Sequence, residues 1–273
     1  MRPMPVTEGG VAQLGGRNGG NRFQYARLDE AVAAYRALGY CVISDMVSQE
    51  ECDVMHSLLA ETQAQADRWE GDPRWLADAT AWDCDAAGRR IVRRVPKPFQ
   101  REERFRAIFG RSAVLDLVEA FVGPEIYLHS SKMIYKPPRV GREKPMHQDL
   151  AYWPELAAAQ VTLWCPAGPA SADNGCIELL PGEHGSEVLL HADLDDWQIV
   201  PELVKDKHSV VVEMAAGELL FLHPRIPHAS RANVSDEGRL AAVVNFYSQA
   251  VSSDGHPYGS AIPLRSRRPA TDG

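Results

Sequence analysis

Apolar residues recur at helical spacing along LDEAVAAYRAL, residues 28–38, and Gly39 stands where such a helix would stop. The next five residues, YCVIS at 40–44, form a short apolar run that reads as a strand. A second helix is expected to start near Ser48, because Glu51 stands three residues on as in a capping box, and to run to about Arg68. The period is then lost. Over residues 69–88, Trp69, Trp75 and Trp82 lie among Gly, Pro and Asp, which predicts a long, partly packed loop of the kind that serves as a lid. A third helix is expected from about Ser112 to Phe121.

Beyond it the texture changes to short apolar runs between turn signals: EIYLHSSKMIY, QVTLWCP, GCIELLP, SVVVEM, GELLFL and RLAAVVNFY. Helices first and strands later, without alternation, disfavour a doubly wound sheet and indicate a β-sandwich or closed jelly roll flanked by helices. The acidic, irregular stretch 185–208 reads as a mobile insertion between strands. The glycine-rich opening, residues 1–22, and the polar end, residues 265–273, are expected to be a flexible tail and a frayed terminus around one domain, 23–264.

Composition narrows the classes. A chain of 273 residues is large enough for one sizeable core. It has no apolar run of the length a transmembrane helix needs. Its first 22 residues hold six glycines and no apolar h-region, which argues against a cleaved secretory signal and for the cytoplasm. Five cysteines, at 41, 52, 84, 165 and 176, are odd in number and form no C-x-x-C pair, against both a disulfide framework and a thiolate zinc site. The net charge of −8 has the wrong sign for nucleic acid.

Chemistry is concentrated at two places. In MHQDLAYWP, His147 and Asp149 are two apart and would project from the same face of an extended segment. Far downstream, HPRIPHAS supplies His228. Two histidines and one carboxylate are the facial set that holds ferrous iron and leaves positions open, although three-ligand zinc sites look alike. Along RLAAVVNFY, Arg239 shares a face with Ala241, Val243, Asn245 and Tyr247, opposite Leu240, Ala242, Val244 and Phe246. If that first face lines a barrel, the guanidinium inside it demands an anion, and its fork suits a carboxylate.

The segments KMIYKPP, HQDLAYWP, NGCIELLPGEH and GELLFLHPRIPH, with the spaced H-x-S-x-x-N-x-S-x-x-x-R that ends at Arg239, resemble the phytanoyl-CoA dioxygenase family of Fe(II)/2-oxoglutarate-dependent oxygenases. The resemblance implies a double-stranded β-helix with His147, Asp149 and His228 as iron ligands. It sets Arg239 against the 2-oxoglutarate carboxylate and puts Ser230, Gln148, Trp164, Met133 and Lys97 where the family contacts that co-substrate. His228 rather than His223 heads the H-x-S spacing. The implied reaction takes a small-molecule substrate and molecular oxygen. The retained Asp149 favours hydroxylation over halogenation, while desaturation, cyclisation and epoxidation draw on the same oxidant. Tyr152 and Trp153 could line a substrate pocket, and the basic stretch from Arg89 to Arg106 could draw in an anionic or amphipathic substrate. Two other readings stay open: a non-oxidative metal enzyme, or a ligand-binding barrel without catalysis.

Overall fold

A computed structural model describes residues 21–67, 82–84, 90–154, 160–185, 187–248 and 262–266. The helices fall where the periodicity sets them. Leu28–Leu38 is helical and ends on Gly39 in the left-handed conformation, at φ 82°. Gln49–Asp67 follows, its start fixed by the reciprocal bonds between Ser48 and Glu51. Ser112–Val122 is the third expected helix. Two short helices, Pro98–Arg101 and Glu103–Phe109, occupy much of the basic stretch and have no counterpart in the expectation.

The strands form two facing sheets. The larger runs in the order Arg22–Phe23, Tyr40–Ile43, Leu219–Leu222, Gln160–Pro166, Arg239–Tyr247, Ile126–Lys136, Ile262–Arg265, with Arg94–Pro96 also paired to Ile126–Lys136. The smaller runs Val210–Val212, Ile177–Leu179, His228–Ser230, Lys144–His147. This is the double-stranded β-helix, a jelly roll.

Alternation along the central strand sorts the two faces. Leu240, Ala242, Val244 and Phe246 join a core with Phe105, Phe109 and Leu117 of the helices. Burying each such large side chain contributes about 1.5–3 kcal/mol, which keeps the helical layer on the outside of the sheet. Ala241 and Val243 turn the other way and pack with Leu179, Leu220 and Trp164 between the sheets. The polar members of that inward face, Arg239 and Asn245, are therefore carried into the barrel by the same parity that buries their apolar neighbours.

At the chain's margins the expected boundaries shift. Asn21 is buried, with its amide donating to the Tyr40 carbonyl at 2.6 Å, and Arg22 and Phe23 pair in parallel with Val42 and Ile43. The fold therefore takes in Asn21 and Arg22, which the composition put in the tail. Arg265 closes the edge strand Ile262–Arg265 and meets Asp116 and Glu119 instead of fraying. Within 185–208 the chain forms a hairpin, His191–Asp193 against Trp197–Ile199. Of the expected lid loop, Trp69 and Trp75 lie outside the described residues, while Trp82–Cys84 pairs with Arg90–Val92. Among the described residues, no helix is long and apolar enough to cross a membrane.

Candidate active site

His147 closes the strand Lys144–His147, and His228 opens its antiparallel neighbour directly opposite. Their rings lie 4.2 Å apart, centroid to centroid. Asp149 lies just past the strand end, at the first position of a 3-10 turn, but Gln148 between is still extended. The two-residue period therefore survives, and Asp149 comes to the same side as His147.

Each of the three side chains has its remaining polar atom engaged. The Nδ1 of His147 lies 2.9 Å from the Pro145 carbonyl, and that of His228 lies 3.0 Å from the Ile226 carbonyl. An Nδ1–H donated there leaves Nε2 as a lone pair for a metal. Both Nε2 atoms face one oxygen, Oδ1 of Asp149, at 3.8 and 3.9 Å. The other, Oδ2, accepts from the Thr162 hydroxyl at 2.5 Å; Thr162 in turn accepts from the Asn245 amide at 2.7 Å, whose Oδ1 accepts from Ser130 at 2.8 Å. Thr162 and Asn245 face each other across adjacent strands, so sheet register sets this relay.

The electrostatics suit a cation. Burial pushes the His147 pKa well down, with His228 adding to it. Burial alone would raise the Asp149 pKa, but the two histidines and the Thr162 bond outweigh it and hold the carboxyl below its ordinary value. A ligand atom from each residue lies within 4.8 Å of the others, the spacing a single ion could bridge.

This triad lines a cavity of about 590 Å³ that runs between the sheets to Arg239. Arg239 is buried, and among the described residues its Nε and Nη1 have no hydrogen-bond partner. Its guanidinium carbon lies 5.4 Å from the centre of the Trp164 ring. Burial draws its pKa down to about 10. Ser230 and Trp164 line the same cavity. Two imidazoles and a carboxylate on one side, and an unsatisfied buried guanidinium on the other, fit Fe(II) and a dicarboxylate co-substrate respectively.

Three expected co-substrate contacts do not come to this cavity, and strand parity explains two of them. Gln148, alternating with His147 and Asp149, points away; its amide donates to the Arg225 carbonyl and accepts from the Leu189 N–H, tying down the insertion instead. Met133 alternates with Lys132 and Ile134, so it is wholly buried in the helical core. Lys97 lies beyond the strand Arg94–Pro96, exposed and with φ 54°. In their stead Lys132, Lys136, Arg93 and Arg94 line the cavity. Arg94 is placed by pairing beside Ile134, an inward position. Applying to Ile126–Lys136 the alternation that located Arg239 would have found Lys132 and Lys136.

The basic stretch is thus divided. Arg93 and Arg94 reach the cavity, while Arg104 pairs with Glu61 and Arg106 donates to the Phe99 and Gln100 carbonyls. His223 lies with His184 and Tyr35, at ring separations of 5.0 and 5.9 Å, away from the triad. Tyr152 meets the His147 ring edge-on and bonds Lys144, whereas Trp153 stacks edge-on against His129.

A jelly roll holding this donor set opposite a buried arginine defines an iron- and 2-oxoglutarate-dependent dioxygenase. Residues 35–241, well over half the chain, match the family model described as phytanoyl-CoA dioxygenase (PhyH), and the chain belongs to that family. The bovine peroxisomal phytanoyl-CoA dioxygenase is 27% identical over 246 residues, covering 82% of this chain and 71% of that protein. A probable alpha-ketoglutarate-dependent hypophosphite dioxygenase of Stutzerimonas stutzeri is 27% identical over 165 residues, 58% of this chain and 57% of that one. Among solved structures, EctD from S. alaskensis with 2-oxoglutarate and 5-hydroxyectoine superposes with a TM-score of 0.65 at 19% identity, over 81% of this chain and 76% of that one, and so shares the fold.

Proposed function

We propose that this dioxygenase hydroxylates an unactivated C–H bond of a small amphipathic or anionic molecule, with His147, Asp149 and His228 holding the iron and Arg239, helped by Ser230 and Trp164, holding 2-oxoglutarate. Bound together, iron and 2-oxoglutarate supply the oxidising power, with succinate and carbon dioxide as co-products. The chain's own part is to position and to exclude water. Thr162 fixes Asp149 through one oxygen and leaves the other to face the imidazoles, the two backbone carbonyls keep the imidazoles aimed, and Leu222, Val243 and Ile177 give the cavity an apolar wall.

The observation that carries this reading is the unpaired guanidinium of Arg239. A hydrolytic zinc enzyme would leave it without a role, and a passive binding barrel would leave the triad without one, while a dicarboxylate answers the guanidinium's charge. Arg22–Phe23 and Ile262–Arg265 belong to one sheet, which supports a single catalytic domain that reaches from Arg22 to Arg265. The buried, unpaired Cys41, Cys52, Cys165 and Cys176 are consistent with the reducing cytoplasm.

The test is succinate release from 2-oxoglutarate by anaerobically reconstituted protein on admission of oxygen, with a panel of small acids and neutral analogues. Iron- and oxygen-dependent succinate, stoichiometric with hydroxylated product, is expected. Turnover with zinc, without oxygen and without succinate would overturn the reading.

A further inference from the structure

Besides Arg94, whose Nε has no hydrogen-bond partner among the described residues, the cavity holds a second unanswered cation. Lys132 stands on the inward face of its strand, paired across to Val243, and lines the cavity with Asp149. Among the described residues its ammonium has no hydrogen-bond or ion-pair partner. Burial draws its pKa down; Asp149 is the one acid that acts against this, and Arg94 and Lys144 crowd it with further positive charge.

Asp149 cannot serve as its counterion. Its Oδ1 faces the two imidazoles and its Oδ2 accepts from Thr162. The Nζ of Lys136, by contrast, donates to the carbonyls of Ser230 and Arg231, and Lys144 is paired with Asp196. A dication, the Asp149 carboxylate and a 2-oxoglutarate dianion sum to one negative charge, which Arg239 balances. Of the cations left over, Lys132 and Arg94 line the cavity, and Lys132 is the one that feels Asp149.

We propose that Lys132 receives an anionic oxygen of the primary substrate, which is therefore a small acid oxidised within a few bonds of its charged group. This rests on the dioxygenase reading above and deepens it. A half-buried ammonium with no hydrogen-bond or ion-pair partner favours an anion beside it. Because Lys132 lies close enough to Asp149 to feel its charge, the anion must lie beside the reacting carbon. A long acyl chain with charge only at its far end would leave Lys132 unanswered.

The experiment is calorimetric titration of the anaerobic iron-loaded protein, saturated with 2-oxoglutarate, with propionate, methylphosphonate and the neutral propionamide. Propionate or methylphosphonate should bind at least tenfold more tightly than propionamide, and the better of the two identifies a carboxylate or a phosphonate-like head. Lys132→Met, close to lysine in volume, should abolish the preference, and Lys132→Arg should keep part of it. The affinity of Lys132→Met for 2-oxoglutarate itself should stay within threefold of wild type. Equal or absent binding of all three probes, or a preference that survives in Lys132→Met, would overturn the proposal. A tenfold loss of 2-oxoglutarate affinity in Lys132→Met would overturn it too, by moving the residue to the co-substrate. Failure of the wild type to bind 2-oxoglutarate at all would instead bring down the dioxygenase reading.

Discussion

The two ends of the cavity are built on opposite terms. At the triad every side chain has its second polar atom engaged, through Pro145, Ile226 and the relay from Thr162 to Ser130. At the far end Arg239 is buried with nitrogen atoms that meet nothing. Satisfied groups are held still, and what they offer is geometry. Unsatisfied groups are held at a cost, and what they offer is affinity for whatever completes them. In the function proposed here, position at one end and attraction at the other divide the work of gripping a small chelating dianion.

The sharpest break of this contrast comes at the triad. Asp149→Ala should abolish iron binding and succinate formation while the protein still folds, since the core on either side of the large sheet is apolar. Metal content after reconstitution, read beside circular dichroism, checks it. Retained stoichiometric iron together with undiminished succinate formation in this variant would mean that the metal centre lies elsewhere.

At the other end the two properties of Arg239 can be separated. Arg239→Lys should raise the KM for 2-oxoglutarate by tenfold or more, because the planar fork is lost, with little change in the KM of the primary substrate. Arg239→Leu should be worse for catalysis yet raise the melting temperature of the ligand-free protein, since exchanging an unpaired buried charge for an apolar group is often stabilising by about 1–4 kcal/mol. A lower melting temperature for Arg239→Leu would show that the guanidinium is a structural part of the fold.

A smaller effect is expected from the relay. Thr162→Val frees Asp149 to turn and leaves the Asn245 amide without its acceptor, so iron affinity should fall by about 10- to 100-fold. Thr162→Ser should restore most of it, which a purely packing role for the methyl group would not allow. An iron affinity in Thr162→Val equal to wild type would reduce the relay to a structural bond.

Much of this was legible in the chain itself. Strict alternation along RLAAVVNFY placed Arg239 inside the barrel, and the same spacing brought His147 and Asp149 together even though the strand ends between them. What escaped was set by pairing at a distance. Residues 94–96 are too short to read as a strand and end on a proline, yet they add to the edge of Ile126–Lys136 and so carry Arg94 inward. Met133, Gln148 and Lys97 came from motif position alone. The backbone parity of the first two sends their side chains to the far side, and Lys97 has already left the strand. The Thr162–Asn245 relay needed the register between two strands that lie about 80 residues apart in the chain.

The unanswered arginine also bears on how long the protein survives. A ligand that binds only the folded state stabilises it in proportion to the logarithm of its free concentration over its dissociation constant, about 2.7 kcal/mol at a hundredfold excess. Ligand-free molecules, carrying a buried charge with no answer, open more often and meet proteases in that state. If Arg239 receives the dicarboxylate as we propose, the steady amount of this enzyme in a cell should follow the supply of that dicarboxylate, so that metabolic state sets how much catalyst exists as well as how fast it turns over.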